Sequence, residues 1–133
     1  MKHFLVFACC ILFLLPLHAE GREKHNRNGA HIKFEQTEYD FGEISRKGEN
    51  QRCTFRFVND GVEPLVIFSA TTTCSCLKAE FSRKPIAVGE SGEIILLLES
   101  SKLDKGLFRR VVQIRSTSTS GTEILTIKGV AND

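Results

Sequence analysis

Gln51-Arg52-Cys53-Thr54-Phe55-Arg56-Phe57 is the stretch that decides the fold. Successive side chains of a β-strand point to opposite faces, so this run sets Cys53, Phe55 and Phe57 on one side and Arg52, Thr54 and Arg56 on the other. One side must be core and the other water. Asn59-Asp60-Gly61 then signals a turn, and Pro64 resets the chain into Leu65-Val66-Ile67-Phe68 as another strand. Val88-Gly89-Glu90-Ser91-Gly92 is a further turn ahead of Glu93-Ile94-Ile95-Leu96-Leu97-Leu98-Glu99, whose length and preceding glycines favour a strand over a buried helix. Lys105-Gly106 leads into residues 107–115, rich in Val and Ile, and the polar link Ser116-Thr117-Ser118-Thr119-Ser120-Gly121 joins these to 122–130. Towards the amino terminus, residues 32–34 and 41–44 add short strands. About seven strands with punctuating turns, and no capped amphipathic helix, predict an all-β antiparallel sandwich of immunoglobulin-like type. Function in such a fold falls to strand rims and loops.

The length of 133 residues suits one domain, and 41% apolar residues, ten Phe among them, suffice for one core. Ahead of the strands lies a secretory leader. Lys2 is its positive start, residues 4–15 are its apolar stretch, and Pro16-Leu17-His18-Ala19 reads as the region before cleavage. This apolar run is well short of the roughly 20 residues that cross a bilayer, so no membrane span is expected after the leader is removed. Val6-Phe7-Ala8-Cys9 has something of a lipidation motif, but Cys9 comes too early, and lipidation at Cys9 or Cys10 stays open. The expected organisation is a signal peptide over 1–19, a flexible polar tether over 20–30 and the sandwich domain over 31–133.

The formal net charge is +2, and the leader takes only Lys2 out of that balance. Nucleic acid is excluded as a partner, because binding it needs concentrated phosphate-neutralising charge. Arg109-Arg110 and Arg83-Lys84 are short pairs on solvated faces.

Cys74-Ser75-Cys76 is where the sequence holds chemical promise. On a strand, residues two apart share a face, so the thiols form either a paired soft-ligand site for Cu(I) or Zn, or a small disulfide once the backbone kinks. A strained, exposed disulfide suits a redox protein; an inert pair or structural bridge is the plainer reading. Two cysteines without His or a second pair make an incomplete zinc site. Loss of the leader leaves three cysteines, so at least one lacks a partner within the chain. Cys53, on the face of Phe55 and Phe57, is expected as a free core thiol, with a bridge to Cys74 or Cys76 as the alternative. Three other patterns are set aside. Asp40-Phe41-Gly42 has the letters of a kinase metal motif but no kinase around it, and is expected to shape the turn between the first two strands with Phe41 in the core. Gly89-Glu90-Ser91-Gly92 is a turn rather than a nucleophile elbow. His25 and His31 belong to a solvated terminus, leaving no well-placed base.

Five motifs in order resemble the bacterial domain-of-unknown-function 1573 family. They are Tyr39-Asp40-Phe41-Gly42, then Phe55-x-Phe57-x-Asn59-x-Gly61-x-x-Pro64-Leu65, then Thr73-Cys74-Ser75-Cys76, then Pro85-Ile86-x-x-Gly89-x-x-Gly92, and finally Ile127-x-Gly129. The resemblance runs from about Phe34 to Val130. It implies an exported immunoglobulin-like domain of the kind typical of Bacteroidetes, and carries no activity. Family members usually read Cys-Gly-Cys where this chain has Ser75, and the Asn often found near the end of the penultimate strand is replaced around Ser116-Thr117.

Together these readings predict an exported, non-catalytic binding or structural module, in the periplasm or at the cell surface, without a cofactor. Its partner is expected to be a protein or glycan of the cell envelope, held through loops or a sheet edge. The alternative is a thiol redox or Cu(I)/Zn-binding protein acting through Cys74 and Cys76.

Overall fold

The alternating run becomes strand β3 (Gln51–Asn59) in a computed structural model that describes residues 28–133. The leader, its two cysteines, His25 and the tether up to residue 27 lie outside the described residues. Cys53, Phe55 and Phe57 are buried, whereas Arg52, Thr54 and Arg56 face water.

Around β3 run β1 (Ile32–Phe34), β2 (Glu38–Ser45), β4 (Ile67–Thr71), β5 (Leu77–Phe81), β6 (Ser91–Leu98), β7 (Gly106–Ser116) and β8 (Glu123–Asn132). A 3-10 turn, Ser100–Lys102, links β6 to β7. The strands form two four-stranded sheets, ordered β1-β3-β6-β5 and β2-β8-β7-β4. Phe55, Phe57, Ile94, Leu96 and Leu98 of the first sheet meet Ile67, Val112, Ile114, Leu125 and Ile127 of the second, all buried. Each such side chain contributes about 1.5–3 kcal/mol on leaving water, which makes this interlayer the main stabilising element.

The all-β sandwich is therefore as read, with corrections. There are eight strands among the described residues, not about seven, because Leu77–Phe81 also forms one. Its apolar positions Leu77, Ala79 and Phe81 do alternate with Lys78 and Glu80, but Ala, Lys and Glu are weak strand formers and the run is five residues long. The sandwich is not wholly antiparallel: β2 pairs with β8 in parallel, a contact between distant segments that local periodicity does not encode. Asp40 and Gly42 do not form a turn between strands. They sit inside β2 at a bulge, where the register against β8 shifts between Asp40 and Glu43. Gly42 takes φ +66° there, a conformation open to glycine, and its N–H donates to Asp40 Oδ1 (2.8 Å). Phe41 is half-buried, packed edge-on against Tyr39. Ala30, assigned to the tether, is buried and bridges Ser118, so the fold begins earlier than residue 31.

Asn59 closes β3 and does more than start a turn. It is fully buried, donates from Nδ2 to the carbonyls of Glu63 (2.8 Å) and Ile86 (3.0 Å), and accepts at Oδ1 from the N–H of Gly61 (3.1 Å) and His31 (3.4 Å). One amide thus ties the amino-terminal segment, the β3–β4 loop and the loop before β6 together. Gly61 allows this closeness, since a Cβ there would fall 2.4 Å from the His31 nitrogen and 2.5 Å from the Gly29 oxygen.

Candidate functional site

Cys74 and Cys76 are joined by a disulfide across one residue. They do not lie on a strand. They occupy the turn that carries the chain from β4 in one sheet to β5 in the other. Two strand residues at i and i+2 stand about 6.6 Å apart, given a rise of roughly 3.3 Å per residue. The turn shortens the Cα–Cα distance to 5.1 Å, within the range a disulfide requires. Local hydrogen bonds hold it: Cys74 N–H donates to Thr72 Oγ1 (3.3 Å), Leu77 N–H to the Cys74 carbonyl (3.2 Å), and Glu99 N–H to the Cys76 carbonyl (2.8 Å). Lys102 Nζ reaches the Ser75 carbonyl at 3.5 Å and pairs with Glu99 at 3.0 Å. Closing so small a ring constrains the unfolded chain by about 1.6 kcal/mol, roughly half the figure for a 15-residue loop.

Cys53 takes no part in this bridge. It is a free, buried thiol, and desolvation pushes its pKa from the ordinary 9.0 up to about 11. In register it stands opposite Leu96, whose other neighbour is Ala79. Two strand spacings, about 10 Å, thus separate Cys53 from β5, too far for a disulfide without moving the backbone.

His31 is not a solvated terminus residue. It is half-buried, and its Nδ1 meets Asp60 Oδ1 at the end of the sandwich. Among the described residues no group of three or more His, Cys, Asp or Glu side chains is placed to hold a metal ion. Of the two arrangements read for Cys74 and Cys76, a soft-metal pair or a small disulfide, they are found here in the second.

The sequence reading missed a second candidate, on the outer face of the second sheet. A depression of about 430 Å³ runs over β2, β7 and β8, lined among others by Gly42, Leu107, Phe108, Gly129 and Val130. Leu107 is 89% exposed, and two further exposed aliphatics, Val111 and Ile124, lie farther along β7 and β8, beyond Arg109 and Lys128. Charge borders it. Glu38 pairs with Lys128 (2.5 Å) and Arg109 (3.5 Å), and the hydrogen bond from Lys128 lowers the Glu38 pKa while raising that of Lys128. The face could not be read locally, because the bulge that opens it and the parallel β2–β8 pairing both depend on distant segments. The exposed Leu107 at the start of an otherwise alternating strand is the one sequence signal that bears on it.

A family model described as "Protein of unknown function (DUF1573)" matches residues 32–131. No curated protein matches the chain. Among solved structures, the chain is similar to a protein of unknown function from Porphyromonas gingivalis W83, with a TM-score of 0.65 and 19% identity. That likeness covers 76% of this chain and 46% of the other, so the chain spans less than half of that protein's length. It is also similar to the ASH/PapD-like domain 7 of human CEP192 (TM-score 0.63, 6% identity, 79% and 87% covered). The YadV chaperone is a third neighbour (TM-score 0.56, 12% identity, 77% and 52% covered). At these identities the likeness speaks for an immunoglobulin-like, PapD-like fold and not for a shared activity.

Proposed function

The chain belongs to the DUF1573 family, and we propose that it is an exported, non-catalytic module that binds a protein partner in the cell envelope through the outer face of β2, β7 and β8. The observation that carries this reading is Leu107, a large aliphatic side chain almost wholly in water at the mouth of a groove. Apolar surface of this kind, rimmed by charge, marks interaction sites. A protein fits better than a glycan, because the exposed groups here are aliphatic, while the groove's aromatic, Phe108, is buried and offers no open ring for a sugar to stack on. Periplasm or cell surface is the proposed location. It is supported by the leader-like residues 2–19, and one protein of similar structure is the periplasmic chaperone SfaE.

The test compares wild type with Leu107→Asp in crosslinking within the native envelope. The variant should unfold at the same urea concentration, since the side chain it replaces is already exposed, and should lose the crosslinked partner. Undiminished crosslinking would count against this face, and a mature protein that retains residues 1–19 would count against export.

A further inference from the structure

The turn between β4 and β5 is held independently of its sulfur bridge. Its bonds to Thr72, Leu77 and Glu99, and the Lys102 contact to Ser75, run through backbone groups and not through sulfur. The frame therefore keeps the two sulfurs side by side whether or not they are joined. A three-residue ring also constrains the unfolded chain little. A bridge that adds little to the fold, in a frame that outlasts its opening, is suited to opening and closing.

The two sulfurs also differ. Cys74 is half-buried and can be reached, whereas Cys76 is 1% exposed. The Cys76 N–H points at Cys74 Sγ (3.2 Å), where it favours negative charge on that sulfur, and the Lys102 ammonium, from the 3-10 turn after β6, reaches the Ser75 carbonyl between the two cysteines. Beside the turn, Thr71, Thr72, Thr73, Val111 and Gln113 form a shallow depression of about 160 Å³, a seat for an approaching chain.

We propose that this turn is a thiol–disulfide exchange site that accepts two electrons from a dithiol protein, with Cys74 as the sulfur that meets the partner. A partner thiolate attacks Cys74 Sγ, and the Cys74–Cys76 bond breaks. Its electron pair goes to the Cys76 sulfur, which takes up a proton, and a mixed disulfide joins Cys74 to the partner. The partner's second thiolate then attacks its own sulfur in that mixed disulfide, and Cys74 leaves as the thiolate the Cys76 N–H accommodates before it too is protonated. The partner gains a disulfide, this chain holds two reduced cysteines, and two electrons and two protons have moved. The inference rests on the exported reading for its oxidising surroundings, and not on the Leu107 face.

The experiment incubates the oxidised full chain in mixtures of reduced and oxidised glutathione, then reads each cysteine by alkylation and mass spectrometry. Cys74 and Cys76 should interconvert reversibly as one two-electron pair, while Cys53 stays unlabelled and the far-ultraviolet spectrum is unchanged. A pair that stays oxidised until the chain unfolds, or that oxidised glutathione cannot re-form, overturns the proposal. With oxidised glutathione, Cys76→Ser should form a mixed disulfide at Cys74 on the order of tenfold faster than Cys74→Ser forms one at Cys76. Equal rates overturn the role given to Cys74. Lost exchange with intact envelope crosslinking counts against this inference alone, and the converse counts against the binding reading alone.

Discussion

Replacing Asn59 with Ala should remove a large share of the domain's stability. The wild-type amide makes four hydrogen bonds in a site with no access to water, two as donor to Glu63 and Ile86 and two as acceptor from Gly61 and His31. A buried backbone group left without its partner costs about 1–3 kcal/mol, and an ordinary hydrogen bond contributes about 1 kcal/mol net. Loop movement lets water reach some of the abandoned groups, so about 3–5 kcal/mol is the expected loss. Domains of this size have about 5–15 kcal/mol in total. In urea titration followed by far-ultraviolet circular dichroism, the midpoint should fall by about 2–3 M at unchanged slope. Asn59→Asp keeps the acceptor, removes both donors and buries a carboxylate against two carbonyls, so it should be no milder. A midpoint within about 0.5 M of wild type for Asn59→Ala would refute the assignment of Asn59 as the tie between the three segments.

Gly61→Ala should destabilise by a comparable amount, because the new Cβ meets backbone atoms of His31, Gly29 and Ala30 that no rotamer change can move. Hydrogen exchange of the His31 and Val62 amides, faster than that of the β6 amides, would show the amino-terminal segment detaching first. Cys53 predicts an alkaline limb in stability. Its folded pKa lies above its unfolded one, so the contribution of the neutral thiol is complete below about pH 9 and is lost as pH climbs towards 11. The loss is on the order of 2–3 kcal/mol, and Cys53→Ala should lack it when the two urea midpoints are compared across that range. Parallel curves for the two proteins would show that the thiol is not desolvated as described.

Much of the fold was legible because burial on a strand has a period of two. The alternation of Cys53, Phe55 and Phe57 with Arg52, Thr54 and Arg56 set the wall of the core directly, and its turn residues bounded the strands. The same local rule placed Cys53 among apolar neighbours. It did not show which strands neighbour each other, because β2 and β8 lie at opposite ends of the chain and their parallel pairing leaves no local trace. The bulge at Gly42, and with it the groove beneath Leu107, exists only once that pairing is made. Asn59 and Gly61 read as an ordinary turn until the segments they tie are brought to them from positions 28 and 27 residues away. Cys74 and Cys76 were visible as a pair, but their partnership needed the crossing from sheet to sheet, which shortens their separation to 5.1 Å. The sequence alone thus determined the strand periodicity and the core-facing side of β3, since a period of two is a local property of the chain. Which buried and surface groups meet is settled by long-range pairing, and that only the tertiary structure decided.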